Sequence, residues 1–277
     1  MRLENRVALV TGAGRGIGRA IALAYAQEGA SLVLTARTVS ELEETSRLCQ
    51  ELGANTHVVL GDVTVQEDVQ QMVSQTVDRF SAIDILINNA GIGGPVGAAQ
   101  DNDIGEWIRT IQVNVVGVYL CCRAALPVML RQGRGKIVNL AGAGAASAWA
   151  NLSAYSTSKA AVIRLTETLS LELEGTNVQV NALGPGSINT RMWEELRDGA
   201  KEAGDTGLYE LGQRVTSGGG ASIERAAELA VFLASDASGE MTGRLISAVT
   251  DDFHNLPSRI PEIMASDAFT VRRVELD

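Results

Sequence analysis

Short, nearly continuous runs of apolar and β-branched residues alternate along this chain with longer segments of helical pattern. The runs are VALVT (7–11), SLVLT (31–35), HVVL (57–60), IDILIN (83–88), KIVNL (136–140), VQVNAL (178–183) and LISAV (245–249). A strand that is apolar at successive positions has no polar face to give to water, so it belongs in a sheet covered on both sides, as parallel strands are. Parallel neighbours need a crossover, and the intervening segments supply one. IGRAIALAYAQEG and ERAAELAVFLASD carry apolar residues three and four apart, the spacing of one helix face. The repeated unit is βαβ, and the expected fold is α/β: a Rossmann-type doubly wound parallel sheet of about seven strands with helices on both faces.

With 277 residues, 45% of them hydrophobic, and neither an internal repeat nor a low-complexity linker, the chain is expected to form one domain over 1–277. Two stretches break the rhythm. Residues 191–221 are rich in glycine and charge and predict a helical flap over a substrate. Residues 250–277 form a C-terminal extension expected to cover a neighbouring subunit or the substrate mouth. Lys and Arg number 23 against 33 Asp and Glu, a net charge of −10, which argues against nucleic acid or an anionic membrane as partner. The opening MRLENRVALVTG leads straight into a strand, and no 18-residue apolar segment is seen, so a cytoplasmic location without membrane insertion is expected. Cys49, Cys121 and Cys122 lack redox or metal spacing and read as reduced packing residues; His57 and His254 have no ligand spacing either, so no metal is expected.

The turn after the first strand is TGAGRGIG (11–18). Gly12, Gly16 and Gly18 suit a tight turn, close approach of backbone to a pyrophosphate and a close helix–strand crossing, while Arg15 and Ile17 lie within the same turn. The start of the following helix favours negative charge. At the end of the second strand, where an acid would accept from a ribose 2′-hydroxyl, the chain has Ala36 followed by Arg37. Arg37 and Arg15 would suit a 2′-phosphate, so NADP(H) is expected rather than NAD(H).

With TGAGRGIG, GDVT (61–64), NNAG (88–91), the Asn of VNVVG, YSTSK (155–159) and LGPGSINT (183–190) standing in this order, the chain resembles the short-chain dehydrogenase/reductase family over about residues 5–249. The resemblance implies that Asp62 and Val63 meet an adenine, that Asn89, Ala90 and Gly91 line the cofactor, that Pro185 and Gly186 also bind it, and that Ile188 and Thr190 touch its nicotinamide carboxamide. Tyr155 and Lys159 lie four apart on one helix face, and a nearby ammonium favours a phenolate, so Lys159 is expected to bring Tyr155 into working range as general acid/base. By the resemblance, Lys159 also holds the nicotinamide ribose and Asn114 anchors a water in a proton relay.

The chain departs from the family pattern thirteen residues before the tyrosine, where Gly142 stands in place of a serine. Candidate substitutes are Ser147, Ser153 or backbone N–H groups of the AGAGA run, since glycine admits the torsions of an anion nest. A second departure is SAVTDDF (247–253), where the family often has a Val-Asp-Gly-Gly-like turn. Residues 92–103, 143–153 and 190–221, with Trp149, Met192 and Trp193, are expected to line an apolar substrate pocket. The expectation is an NADP(H)-dependent oxidoreductase acting on a small-molecule carbonyl or secondary alcohol, assembled as a homotetramer or homodimer through its long helices. The alternatives are a catalytically weak NADP-binding sensor or assembly protein, and a redox-neutral epimerase or dehydratase that retains its cofactor.

Overall fold

The structure is a computed structural model and describes residues 1–142 and 144–273. Seven parallel strands, β1 (Val7–Thr11), β2 (Ser31–Ala36), β3 (Thr56–Leu60), β4 (Ile85–Asn88), β5 (Gly135–Leu140), β6 (Val178–Gly184) and β7 (Leu245–Ser247), form one sheet in the order 3-2-1-4-5-6-7. The order reverses direction beside β1, so the chain winds first one way and then the other, and a crevice opens at the carboxyl ends of β1 and β4. The expected fold is found.

Alternation along each strand sends its side chains to two cores. Ala8, Val10, Leu32, Leu34, Ile85 and Ile87 pack beneath α1 (Gly16–Gln27), α2 (Val39–Glu51) and α9 (Ile223–Ala234). Leu9, Val33, Leu86 and Ile137 pack beneath α3 (Gln66–Phe80), α5 (Gly117–Gln132) and α6 (Ser153–Glu172). Cys49, Cys121 and Cys122 are free and buried among these residues, and burial pushes the Cys122 thiol up to about 12.

α4 (Ile104–Ile111) runs through a π-helical turn, Gln112–Val116, directly into α5. The 29 residues Ile104–Gln132 make one helix long and apolar enough, by length and composition, to cross a membrane, which corrects the expectation that no such segment occurs. Its polar residues had disguised the apolar face, and that face, with Val113, Val118, Cys121, Ala125 and Met129, lies on the sheet.

Residues 191–221 form α7 (Arg191–Glu202), α8 (Thr206–Arg214) and a further π turn. The two helices bury Trp193, Leu196 and Leu208 in a small core with Leu152 and Tyr155. Asp205 caps α8 by accepting from Leu208 N (2.9 Å), and its other oxygen accepts from Asn151 Nδ2 (2.8 Å), tying these helices to the loop before α6.

The C-terminal extension lies on its own chain. Phe253, Leu256 and Ile263, the last from the short helix α10 (Ile260–Met264), enter the same core as α9. The outward N–H of Leu245 at the sheet edge donates to Phe269 O (2.8 Å), and Arg272 reaches Glu167 of α6 (3.1 Å). The tail thereby pairs part of its own sheet edge and buries these apolar side chains within the chain. Its residues 274–277, like Ala143, lie outside the described set.

Candidate active site

A cavity of about 910 Å³ runs along the carboxyl ends of the strands. Gly12, Arg15, Gly16, Ile17, Arg37, Asp62, Val63, Asn89, Ala90, Gly91, Tyr155, Lys159, Pro185, Gly186, Ile188 and Thr190 all line it. Of the residues singled out from sequence, Gly18 and Asn114 stand behind the wall. A Cβ on Gly18 would lie 2.2 Å from Gly12 O and 2.5 Å from Asn89 Nδ2, so this glycine lets α1 close on the turn. Gly12 and Gly16 have φ of +63° and +54°, the left-handed region glycine takes without penalty.

One organiser of the turn was missed from sequence. Thr11 Oγ1 donates to Ile87 O (3.1 Å) and accepts from the N–H groups of Asn89 (3.0 Å) and Ala90 (3.1 Å), while Asn89 Nδ2 donates back to Thr11 O and Gly12 O. The ends of β1 and β4 are thereby stitched together at the crevice. A threonine ending a strand is common, and only the pairing of β1 with β4 gives this one its partners.

Asn114 sits in the π turn, where an extra residue per turn rotates its side chain into the sheet's end. Its Oδ1 accepts from Ile92 N (2.9 Å), and its Nδ2 donates to Ile92 O (2.9 Å) and to Ser158 Oγ (2.9 Å). Ser158 in turn donates to Tyr155 O, fastening the π turn to α6. Lys159 Nζ donates to Leu140 O (2.9 Å) and lies 5.8 Å from the centre of the Tyr155 ring. Burial dominates both groups: it pushes the Tyr155 hydroxyl up to about 12 and the Lys159 ammonium down to about 8. Desolvation thus opposes the charged form of each group and works against the phenolate that a neighbouring ammonium favours.

Two glycines of the AGAGA run lie against α6. An ideal Cβ on Gly142 would sit 2.3 Å from Tyr155 Oη, and one on Gly144 would sit 2.6 Å from Ser156 Oγ. Gly144 also has φ +85°, whereas Gly142 is not among the positive-φ glycines. The backbone freedom expected of the run is used at Gly144, and at Gly142 the absent side chain makes room for the tyrosine hydroxyl. At the two ends of the run, Ala141 N donates to Leu183 O (2.9 Å) and Ala145 N to Gly142 O (3.1 Å). Neither candidate serine reaches this point. Ser147 is exposed, and Ser153 Oγ accepts from Trp107 Nε1 (3.2 Å) and Asn102 Nδ2 (3.3 Å).

Beside Tyr155 the wall is apolar. Trp193 and Met192 line the cavity, and Trp149 packs edge-on against Trp193 with ring centres 6.2 Å apart. Ile92, Gly93 and Gly94 and residues 190–195 contribute from the expected pocket segments, whereas 143–153 contribute nothing to the cavity wall among the described residues; Glu106 and Arg109 of α4 join it unforeseen. At the opposite end each arginine holds a carboxylate: Arg15 Nη1 is 3.0 Å from Glu41 Oε1, and Arg37 Nη1 is 3.7 Å from Asp62 Oδ2.

A profile of the short chain dehydrogenase family matches residues 6–201. The 3-oxoacyl-(acyl-carrier-protein) reductase FabG of Thermotoga maritima is 35% identical over 246 residues, covering 89% of this chain and 97% of that protein. The 2-(R)-hydroxypropyl-CoM dehydrogenase of Xanthobacter autotrophicus is 41% identical over 206 residues, covering 70% and 81%. Among solved structures, NAD+-bound xylitol dehydrogenase superposes with a TM-score of 0.84 at 32% identity, covering 89% of this chain and 98% of that one. Levodione reductase gives 0.82 at 30% identity, covering 89% and 96%. Sheet order, motif placement and these likenesses agree, and the chain belongs to the short-chain dehydrogenase family, as an oxidoreductase.

Proposed function

We propose that this enzyme moves hydride between NADP(H) and the carbonyl or secondary alcohol carbon of a small, largely apolar molecule, with Tyr155 as general acid/base. The observation that carries the reading is the Tyr155 hydroxyl, buried yet on the cavity wall, with Lys159 beside it and Gly142, which has no side chain, against it. A nicotinamide cofactor suits the residues present: the turn's glycines leave its backbone bare, and α1 begins with no side chain capping its first N–H groups, which favours a pyrophosphate. Asp62 and Val63 would meet its adenine, Asn89, Ala90 and Gly91 its middle, Lys159 its ribose, and Pro185, Gly186, Ile188 and Thr190 its nicotinamide. Arg15 and Arg37 would take the 2′-phosphate, since Ala36 offers no ribose acceptor. Bound there, the cofactor supplies or accepts the hydride.

In reduction, Tyr155 donates its proton to the substrate oxygen as charge develops on it; in oxidation it takes the proton back. Lys159, with its proton loosened by burial, replenishes the tyrosine, and Asn114 keeps α6 and the π turn in register for a water between them. We read Gly142 as standing where the family has its serine. The tyrosine hydroxyl then takes over the polarising role alone, and the substrate fits the room left by Trp193 and Met192.

The same Gly142 also favours a binder with little turnover, and one experiment separates the readings. Tyr155→Phe should lower turnover of NADPH with a ketone panel by about 10²–10⁴-fold while cofactor affinity stays within twofold. Wild-type rates in Tyr155→Phe would remove the tyrosine from the mechanism. Affinity without any turnover in the wild type would make the protein a binder, and conversion without net change in nicotinamide absorbance would make it an epimerase or dehydratase. We also propose a cytoplasmic location, supported by the free cysteines, and a homotetramer or homodimer through α4 and α5, supported by the exposed Ile104, Ile108, Val116 and Tyr119.

A further inference from the structure

The adenine end of the cavity contains an anion of the protein's own. Glu41 stands in the first turn of α2 and lines the cavity, its carboxylate against Arg15. It is held there by its backbone: Glu41 O accepts from Thr45 Oγ1 (2.9 Å), and Arg19 Nε bridges Gly14 O (3.1 Å) and Thr45 Oγ1 (3.0 Å), clamping α2 onto the glycine turn. A Cβ on Gly14 would lie 2.9 Å from Glu41 Cβ and 3.2 Å from Oε2, so the turn is bare at the point where Glu41 leans over it. The second cation of this end, Arg37, faces Asp62. Both guanidiniums expected to meet a 2′-phosphate are therefore matched by carboxylates, and only the one on Arg15 comes from an element that the sequence reading had not connected with the cofactor.

We propose that Glu41 sets the cofactor discrimination of this enzyme, as an internal anion that holds Arg15 and must yield it before a 2′-phosphate can be bound. The proposal rests on the NADP(H) reading above. A carboxylate left beside an incoming phosphate repels it, and an arginine already paired gives less on pairing again. Glu41 thus holds down the affinity for NADP(H) and leaves that for NAD(H), which carries no charge at this point, nearly untouched. An acid in a helix's first turn also favours the helix dipole. That role alone would make its loss lower the melting temperature with no change in nucleotide affinity.

Calorimetric titration of the full-length protein with NADP+ and with NAD+ tests the proposal in wild type, Glu41→Gln, Arg15→Gln and the double variant. Glutamine keeps the length of the side chain and the backbone bonds of the clamp. Glu41→Gln should tighten NADP+ about five- to thirtyfold and move NAD+ less than threefold, and the gain should shrink to the part owed to direct repulsion when Arg15→Gln is added. Wild-type preference for NADP+ with no response to Glu41→Gln overturns the proposal and leaves the NADP(H) reading standing. Equal wild-type affinities that split in favour of NADP+ in Glu41→Gln overturn that reading and uphold the role of Glu41. Equal affinities that Glu41→Gln leaves unmoved overturn both. Weakened NAD+ binding in Glu41→Gln also overturns the proposal, since the carboxylate would then be a ribose acceptor.

Discussion

At Gly142 a single hydrogen in place of a side chain decides what the tyrosine can do. Because the ideal Cβ falls 2.3 Å from Tyr155 Oη, Gly142→Ser cannot be absorbed by a change of serine rotamer; the ring itself must move. The expected result is a loss of about 1–3 kcal/mol in urea denaturation, in the range of overpacked cores, together with at least a tenfold fall in kcat/KM. An unchanged midpoint with a higher rate on small ketones would show that the tyrosine relocates freely and that the site lacks an oxygen donor. Lys159 makes a second residue-scale case. Burial holds its ammonium down at about 8, below the usual lysine value, so the folded state bears a penalty for the charge at neutral pH that disappears as pH rises from about 8 toward about 10.5. Wild type should therefore gain on Lys159→Met over that window: the melting temperature of Lys159→Met minus that of wild type should be larger at pH 7 than at pH 10. A difference independent of pH would mean that the ammonium is not desolvated.

The elements around the site are held by a few polar ties rather than by the sheet. α7 and α8 cross no strand, and their position depends on a buried apolar face and on Asp205, whose carboxyl is kept below the usual carboxylate range first by the Leu208 N–H and then by Asn151. Asp205→Ala removes a helix cap and the link to the loop before α6, and should cost about 1–2 kcal/mol while raising KM more than it lowers kcat. Guanidinium denaturation and steady-state kinetics on the same variant check both halves. An unchanged KM would place these helices outside the substrate site. The π turn is the contrasting case. It was invisible in the sequence because QVNVV has nothing to distinguish it from ordinary helix, yet without its extra residue per turn Asn114 would not reach both Ile92 and Ser158.

For the whole molecule, the apolar outer face of α4 and α5 is the feature with consequences beyond the monomer. Ile104 is 68% and Tyr119 47% exposed, on the side of the helix away from the buried Val113, Val118 and Cys121. If the long helices pair with a second copy, Tyr119→Glu should shift the sedimentation coefficient from oligomer to smaller species, with the monomer's circular dichroism unchanged. A wild type that sediments as a monomer would refute the expected assembly. The opposite edge of the sheet is already closed by the chain's own tail, through Phe269 and Arg272, which leaves less backbone there to recruit a neighbour.

The sequence by itself determined the sheet, its parallel sense and the glycine turn, because strand burial on both faces, crossover helices and left-handed torsions are written in local composition and need no distant partner. Tyr155 and Lys159 were legible for the same reason, being one helical turn apart. Only the tertiary structure decided what surrounds them: that Gly142 faces the tyrosine hydroxyl, that Thr11 finds Asn89 across two strands, that Glu41 leans onto Arg15, and that the tail returns to its own sheet edge. A charge and a hydroxyl four residues apart suggest attraction, but the energy of each depends on how much water the fold leaves around it, and desolvation is a property of the whole packed molecule rather than of any stretch of sequence.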